Sequence, residues 1–368
     1  MKICIMNEER IHNFSPGPGV LFEEVLENAQ RELLNWKNTG MSILELNHRT
    51  SEFHELLLST KSKIRILAKI PEYFEILFLQ GGATQVFSSI SLNFCDETDT
   101  VDYIVNGYWS EFAANEAKKN ANVHISNDFN GYTSCPEQSE LHILKESKYV
   151  HYCSNETIHG LEFQYVPDVG NIPLICDMSS NFLSKPIDNI EKYGMIYAGC
   201  HKNVGPAGLV IAIIRPDMFN KRNKRNIPLL MDFTELMKNN SMLNTPPVFN
   251  IYMAELTFMK LLNLGGLQII QQENRKKSLL LYDTIDGSNN FYSYKMKYKD
   301  RSRMNVPFML KNTCLEEEFI KQAGVCGLKG LKGHSQVGHC RASLYNAMSL
   351  EGVRKLVKFM KWFQIQNE

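Results

Sequence analysis

The sequence predicts an α/β fold, a large domain on a mainly parallel sheet followed by a smaller C-terminal α/β domain. Three observations predict it. Short apolar runs of strand length recur through the first two thirds of the chain, separated by stretches of helical periodicity, as when buried parallel strands are joined by crossover helices. Several of these runs stop on Gly, Asn-Gly, Asp or Pro, which punctuate strands. The pattern then changes after Leu264-Gly265-Gly266, and 368 residues are too many for one small core.

The elements follow in order. Residues 22–36 place Val25, Leu26, Ala29, Leu33 and Trp36 on one helical face. Residues 73–79 form an apolar run that ends in Gly81-Gly82, a strand and a tight turn, after which a helix opens. Further strands are expected over residues 102–105, closed by Asn106-Gly107, and over 148–153. Three more cover 173–176, ending on Asp177, then 195–198, then 209–214, stopped by Pro216. A helix begins near Pro247. The last helix is capped by Ser349 and buries Val353, Leu356, Val357, Met360 and Phe363. The domains are expected at residues 16–262 and 263–368, with residues 1–15 packed on the smaller one.

Lys+Arg and Asp+Glu both total 40, so nothing in the net charge points to nucleic acid or an anionic membrane. The basic run at residues 221–225 reads as a solvated loop. The nine cysteines are an odd number without a C-x-x-C pair, which argues against a zinc ribbon or a full disulfide framework and for a reducing compartment. No metal is expected. The first residues turn acidic at Glu8-Glu9 before a signal-peptide core forms, and no apolar run approaches bilayer length. A cytosolic protein is expected.

The chemistry is concentrated in Tyr197-Ala198-Gly199-Cys200-His201-Lys202-Asn203-Val204-Gly205-Pro206-Ala207-Gly208. A lysine follows a buried strand, and a glycine-rich turn lets the backbone approach a ligand. A lysine in a partly desolvated crevice has a lowered pKa and can form a Schiff base. Taken alone, the same pattern describes a surface lysine in a hairpin. Asp177, at the carboxyl end of a parallel strand, would point into the ligand crevice. A carboxylate there would keep a pyridine nitrogen protonated, as pyridoxal-phosphate chemistry needs, or it is a turn aspartate. Gly81-Gly82-Ala83-Thr84-Gln85 opens a helix whose first amides suit a phosphate. Trp109 follows another strand end and is either a stacking surface for a ring or a core residue.

The chain resembles the phosphoserine aminotransferase family over nearly its whole length. The matching segments include Asn47-His48-Arg49, Gly107-Tyr108-Trp109, Asn155-Glu156-Thr157-Ile158 and Asp177-Met178-Ser179-Ser180. Others are the lysine segment itself, Asn244-Thr245-Pro246-Pro247, Arg301-Ser302-Arg303-Met304-Asn305 and Arg341-Ala342-Ser343-Leu344-Tyr345-Asn346. The resemblance implies a fold-type I pyridoxal-phosphate transferase with a seven-stranded sheet and a homodimer with shared active sites. It implies that Lys202 carries the cofactor as a Schiff base and shuttles the α-carbon proton. Asp177 would pair with the pyridine nitrogen, Trp109 stack on the ring, and Thr157 bond the ring oxygen. Ala83, Thr84 and His201 would hold the phosphate, joined by Asn244 and Thr245 of the partner subunit. Arg341 would grip the substrate α-carboxylate, with His48, Arg49 and His334 around its distal anion.

Four positions depart from the family pattern. Ser335 stands where an arginine is usual, His339 where glycine is usual, His201 where glutamine is usual, and Pro16 where a small substrate-contacting residue is usual. His339, as an imidazolium, is expected to supply part of the charge missing at Ser335. The implied reaction is transamination between L-glutamate and 3-phosphohydroxypyruvate. An altered preference among 2-oxo acids and a low-turnover PLP-binding scaffold are the alternatives.

Overall fold

The computed structural model describes residues 10–221, 226–335 and 337–368. Residues 222–225 of the basic run and the acidic start of the chain therefore lie outside the described residues. A seven-stranded sheet forms from β1 (Glu75–Gly81), β2 (Thr100–Tyr103), β3 (Asn122–Ile125), β4 (Val150–Cys153), β5 (Leu174–Asp177), β6 (Tyr193–Gly199) and β7 (Gly208–Ile214). Their order across the sheet is β1-β7-β6-β5-β4-β2-β3. All are parallel except β7, which runs antiparallel to both of its neighbours. The link between β6 and β7 is too short for the dozen residues that a parallel crossover needs, so the two strands pair as antiparallel neighbours.

Six of these strands match apolar runs in the sequence to within two residues at either end. The edge strand β3 does not: its four residues are exposed or half-buried, so it carries no apolar signal. The helix expected over residues 22–36 is shorter, Glu23–Glu32, and Trp36 opens a separate 3₁₀ turn in which Lys37 has φ 46°. Trp36 is buried as expected.

Alternation along the central strands feeds two cores. Ile76 and Phe78 of β1, Ile196 and Ala198 of β6, and Leu209, Ile211 and Ile213 of β7 face one side. That side is covered by helices Ser51–Ala68 and Val248–Asn263, which pack on each other. Leu77 and Leu79, Met195 and Tyr197, and Val210 and Ala212 face the other, against helices Ala83–Phe94 and Tyr108–Ala117. A third core lies in the C-terminal part, where strands Tyr292–Ser293, Asn305–Leu310 and Cys340–Ser343 form a small antiparallel sheet. Helices Leu267–Asp286 and Leu350–Asn367 pack on each other over it, and Phe14 from the N-terminal segment belongs to the same core. Ser349 caps the last helix by accepting from the Gly352 amide. No disulfide links the described cysteines, and no described helix is long and apolar enough to cross a membrane.

A buried ion pair locks the hairpin that carries Thr157 to the small sheet. Arg303 donates through Nη2 to Glu162 Oε1 at 2.5 Å and through Nε to Oε2 at 3.1 Å, and Glu162 is fully buried. Burial pushes the Glu162 carboxyl up, but Arg303 outweighs it and holds the pKa below the ordinary value. Arg303→Met should therefore cost about 3–5 kcal/mol, because it leaves a buried carboxylate unpaired. The check is the denaturant midpoint of the variant at neutral pH. The loss should shrink as pH falls through the lowered Glu162 pKa, since this stabilisation exists only while the carboxylate is charged.

The consequence for function is an aligned edge. β1, β2, β4, β5 and β6 all point the same way, so the segments after them emerge along one side of the sheet. These segments hold Ala83-Thr84, Trp109, Thr157 and Lys202, and Asp177 ends β5 on the same side. Ligands in open α/β sheets bind outside the carboxyl ends of the strands.

Candidate active site

Lys202 stands three residues past β6 and is buried. Its Nζ donates to Thr157 Oγ1 at 2.9 Å and lies 5.8 Å from the Trp109 ring centroid. Burial lowers its pKa, opposed by the charges of Asp177, Cys153 and Glu156, while Arg341 lowers it further. A lysine so placed loses its proton more readily and is a better nucleophile. Asp177, the last residue of β5, is held by the Ser179 amide, which donates to Oδ1 at 2.7 Å. Burial raises its pKa, against the pull of Lys202. The neighbouring Asn203 fixes the lysine turn: its Nδ2 donates to Ser180 O, and its Oδ1 accepts from the Asn346 amide.

Trp109 is positioned by a residue to which the sequence reading gave no role. Glu156 is buried beside the N-terminus of helix Tyr108–Ala117 and accepts from the amides of Trp109 (3.0 Å) and Ser110 (2.7 Å) and from the Ser110 hydroxyl (2.7 Å). A carboxylate satisfies first-turn amides that have no partner within the helix. The approach needs Gly107, where a Cβ would lie 2.3 Å from Glu156 Cδ. The signal was present in Asn155-Glu156-Thr157, but only the fold brings that segment under the helix.

Helix Ala83–Phe94 starts at Gly82 without a side-chain cap and with no acidic residue in its first turn. Its first amides are thus available to an anion at the same edge. His201 packs between Gly17 and Gly199 (a Cβ at either would come within about 3.0 Å of its ring), and its carbonyl accepts from the Gly19 amide. Burial lowers its pKa to about 4, so at neutral pH it is a neutral hydrogen-bonding ring. Pro16 is held over this turn by the Tyr345 hydroxyl, which donates to its carbonyl. Asn244 and Thr245 are exposed and anchored to Gln80, next to the helix start: Gln80 Nε2 donates to Asn244 Oδ1 at 2.6 Å and to Thr245 O at 3.0 Å.

Arg341 comes from the small sheet and is buried, 4% exposed. Its Nη1 makes one long contact to Thr157 O at 3.4 Å, and its Nε has no partner. Among the described residues no carboxylate pairs with it. It lines a cavity of ≈ 260 Å³ together with His334, His339 and His159. His339 sits at φ 62°, a backbone conformation that suits glycine, and its Nδ1 is 2.9 Å from Glu316 Oε1. That carboxylate offsets an imidazolium charge at His339, so the expected compensation for Ser335 is weakened. Ser335 itself is exposed. His48 is half-buried and Arg49 exposed, and neither lines this cavity within one chain.

These features invite comparison with known proteins. The family model for class-V aminotransferases matches residues 11–356. The chain belongs to that family. A phosphoserine aminotransferase of Nitrosomonas europaea is 47% identical over 364 residues, covering 96% of this chain and 98% of its own. Among solved structures, phosphoserine aminotransferase from Bacillus circulans subsp. alkalophilus superimposes with a TM-score of 0.95 at 40% identity, covering 98% of this chain and 99% of that one. The PLP-bound phosphoserine aminotransferase of Trichomonas vaginalis gives 0.91 at 40% identity, with 96% and 100% covered. The chain is thus a PLP-dependent aminotransferase of the phosphoserine aminotransferase family, with the fold-type I architecture. The residues fit that cofactor: a buried lysine, a carboxylate at a strand end, an uncapped helix start, and a buried Trp109 Nε1 without a partner.

Much of what carried the resemblance in this aminotransferase turns out to tie the hairpin of Asn155–Glu156 and Leu161–Glu162, and the turn after β5, to the small sheet. Asn155 Nδ2 donates to Ser180 Oγ and to Asn305 Oδ1, Ser302 Oγ donates to Asn155 Oδ1, and Asn305 Nδ2 donates to Ser343 Oγ. All five residues are buried. Satisfied buried networks are geometrically demanding, and this one sets Arg341 on the small sheet against Thr157 in the hairpin turn, which Lys202 reaches from beyond β6.

Proposed function

We propose that this aminotransferase moves an amino group from L-glutamate to 3-phosphohydroxypyruvate, giving 2-oxoglutarate and O-phospho-L-serine, as a cytosolic homodimer. One observation carries the reading: a buried guanidinium, without a carboxylate partner among the described residues, lines a cavity and contacts Thr157, whose hydroxyl accepts from the buried lysine. Such a group is costly unless an anion pairs with it, and every substrate named here has an α-carboxylate that fits its fork.

Pyridoxal phosphate, when bound, supplies the electron sink that makes the substrate α-carbon acidic. In this reading Lys202 takes and returns the α-carbon proton through Nζ, and Asp177 keeps a proton on the ring nitrogen. Trp109 shields one ring face from water, and Thr157, within 3 Å of Nζ, bonds the ring oxygen. The amides of Ala83 and Thr84 hold the cofactor phosphate, with neutral His201 donating to it. Arg341 orients the α-carboxylate, while His334 and His339 line the distal end. Asn244 and Thr245 reach the phosphate of the partner's site, and His48 and Arg49, absent from the cavity of their own chain, complete the partner's as well. The working division of the chain is 16–262 for cofactor binding and 263–368 for the smaller domain, with residues 10–15 of the N-terminal segment on the latter and residues 1–9 outside the described residues.

A coupled assay with L-glutamate and 3-phosphohydroxypyruvate tests the reaction, and absence of O-phospho-L-serine would overturn it. The exposed Ser335 favours a second reading, a related 2-oxo acid with a weaker distal anion, which the same assay separates by comparing substrates. Shared sites are tested by mixing inactive Lys202→Ala chains with chains altered at both Asn244 and Thr245. Random pairing should return about a quarter of the wild-type activity, because half of the dimers carry one intact site. Demonstrated chain exchange with no recovery would rule out sharing.

A further inference from the structure

The cavity beside Arg341 contains a second cation that the family resemblance does not point to. Lys295 lies just past strand Tyr292–Ser293, and Arg341 lies on strand Cys340–Ser343. Both strands flank Asn305–Leu310 in the small sheet, so the two cations enter the cavity from opposite edges of one platform. Pro307 and Phe308 of the central strand line the cavity too.

The cavity wall is rich in positive and hydrogen-bonding groups. It includes Arg341, Lys295, His159, His334 and His339, and among its described residues there is no Asp or Glu. Two carboxylates just outside the wall are already engaged, Glu316 by His339 and Asp286 by Tyr294 and by Arg301. Lys295 has no ion pair among the described residues. Its backbone is nonetheless well fixed. Tyr294 OH donates to Asp286 Oδ1 at 2.7 Å and accepts from Arg301 Nη1 at 2.9 Å, Met296 is buried, and the Lys297 amide donates to Thr133 O at 2.8 Å. A lysine with pinned neighbours and no carboxylate can meet a ligand anion without reorganising the loop.

His159 supports the same picture. Its Nδ1 accepts from the Tyr108 amide at 3.4 Å, which leaves Nε2 as a donor. Its pKa is lowered to about 4, first by burial and then by the charges of His334 and Lys295. It is therefore a neutral donor beside a charged lysine.

We propose that Lys295 is a specificity-determining residue that binds the distal anionic group of the substrate while Arg341 binds the α-carboxylate. The inference rests on the functional reading above and deepens it: the charge absent from Ser335 comes from the opposite wall of the cavity. A substrate that spans the two cations needs two anionic ends, as O-phospho-L-serine has and L-serine lacks. A charge-assisted contact of this kind is worth about 1.5–3 kcal/mol, or roughly 10- to 150-fold in affinity.

The test uses the PLP-loaded protein and measures the dissociation constants of O-phospho-L-serine and L-serine from the change in cofactor absorbance. The wild-type protein should prefer the phosphorylated ligand by more than about 10-fold. Lys295→Met should reduce that preference by about 10-fold or more, Lys295→Glu should reduce it further, and Lys295→Arg should retain most of it. Lys297→Met removes an exposed neighbour that does not line the cavity, and should leave the ratio as it is in the wild type. A wild-type ratio near one, or a ratio equal in wild type, Lys295→Met and Lys295→Glu, would overturn the proposal. Failure of the functional reading is visible separately, as absence of turnover of 3-phosphohydroxypyruvate. Because the ratio is a binding measurement, it decides the role of Lys295 in either case.

Discussion

Lys202→Ala is expected to lower transamination by at least about 10³-fold, because general acid–base proton transfer alone contributes roughly 10² to 10⁴. The lysine is the one amine within hydrogen-bond distance of Thr157 Oγ1 among the described residues, and it lies over the Trp109 ring. Its lowered pKa, caused first by burial, raises the fraction that is neutral and able to accept a proton. Borohydride treatment of the PLP-loaded wild-type protein, followed by peptide mapping, should place the adduct on Lys202, and the variant should lose it. Small primary amines should restore part of the variant's activity, since truncation leaves room beside Thr157. Lys202→Arg should not be active, because a guanidinium stays protonated. A borohydride adduct on a different lysine would overturn the assignment.

Arg341→Ala should lower kcat/KM for both half-reactions by about 10² to 10³, in line with the 2–5 kcal/mol typical of a buried charge pair losing one partner. Both amino donor and acceptor carry an α-carboxylate, so both should suffer. Arg341→Lys should recover only part, because an ammonium cannot reproduce the planar two-point contact. Stability separates this role from a structural one. The wild-type guanidinium is buried with an unpartnered Nε and a single 3.4 Å contact to a carbonyl. Removing it should leave the protein without substrate as stable as before, or more stable, since an unpaired buried charge disappears. A variant that melts earlier yet keeps its kcat/KM would mean that Arg341 holds the small sheet rather than the substrate.

The Glu162–Arg303 pair should behave in the opposite way, with stability lost and the site's own groups intact. The contrast follows from pairing: Glu162 has its counter-charge in the protein, and among the described residues Arg341 has none.

The order of the strands along the chain was legible because buried strands leave apolar runs that turn residues terminate. Tyr193–Gly199 and Gly208–Ile214 are the clearest cases, as nearly every residue in them is buried. Asn122–Ile125 was not legible, because an exposed edge strand needs no apolar face. The shortened first helix had a different cause: Asn35 leaves the helical region at φ −148° and ψ 80°, and no hydrophobic pattern reports that.

Lys202, Asp177, the Gly81-Gly82 turn and Trp109 were each singled out as candidates in the sequence, since a reactive residue type at or just past a strand end is a local pattern. What those residues do together depended on the parallel sheet, which brings segments distant in sequence to one edge. The carboxylate that seats Trp109 was out of reach, because Glu156 lies 47 positions from Trp109 and the bond exists only after folding. The same holds for the contact between Asn155 of the hairpin and Asn305 of the small sheet, 150 positions apart. His339 shows the limit from the other side: its place near Ser335 suggests a side chain free for the substrate, whereas the fold sets Glu316 against it. Local periodicity and turn chemistry thus determined the elements and the candidate residues, since both act over a few neighbouring positions. Tertiary structure alone decided which charges are paired and which face the cavity, because Coulomb and desolvation energies depend on distance and burial rather than on order along the chain.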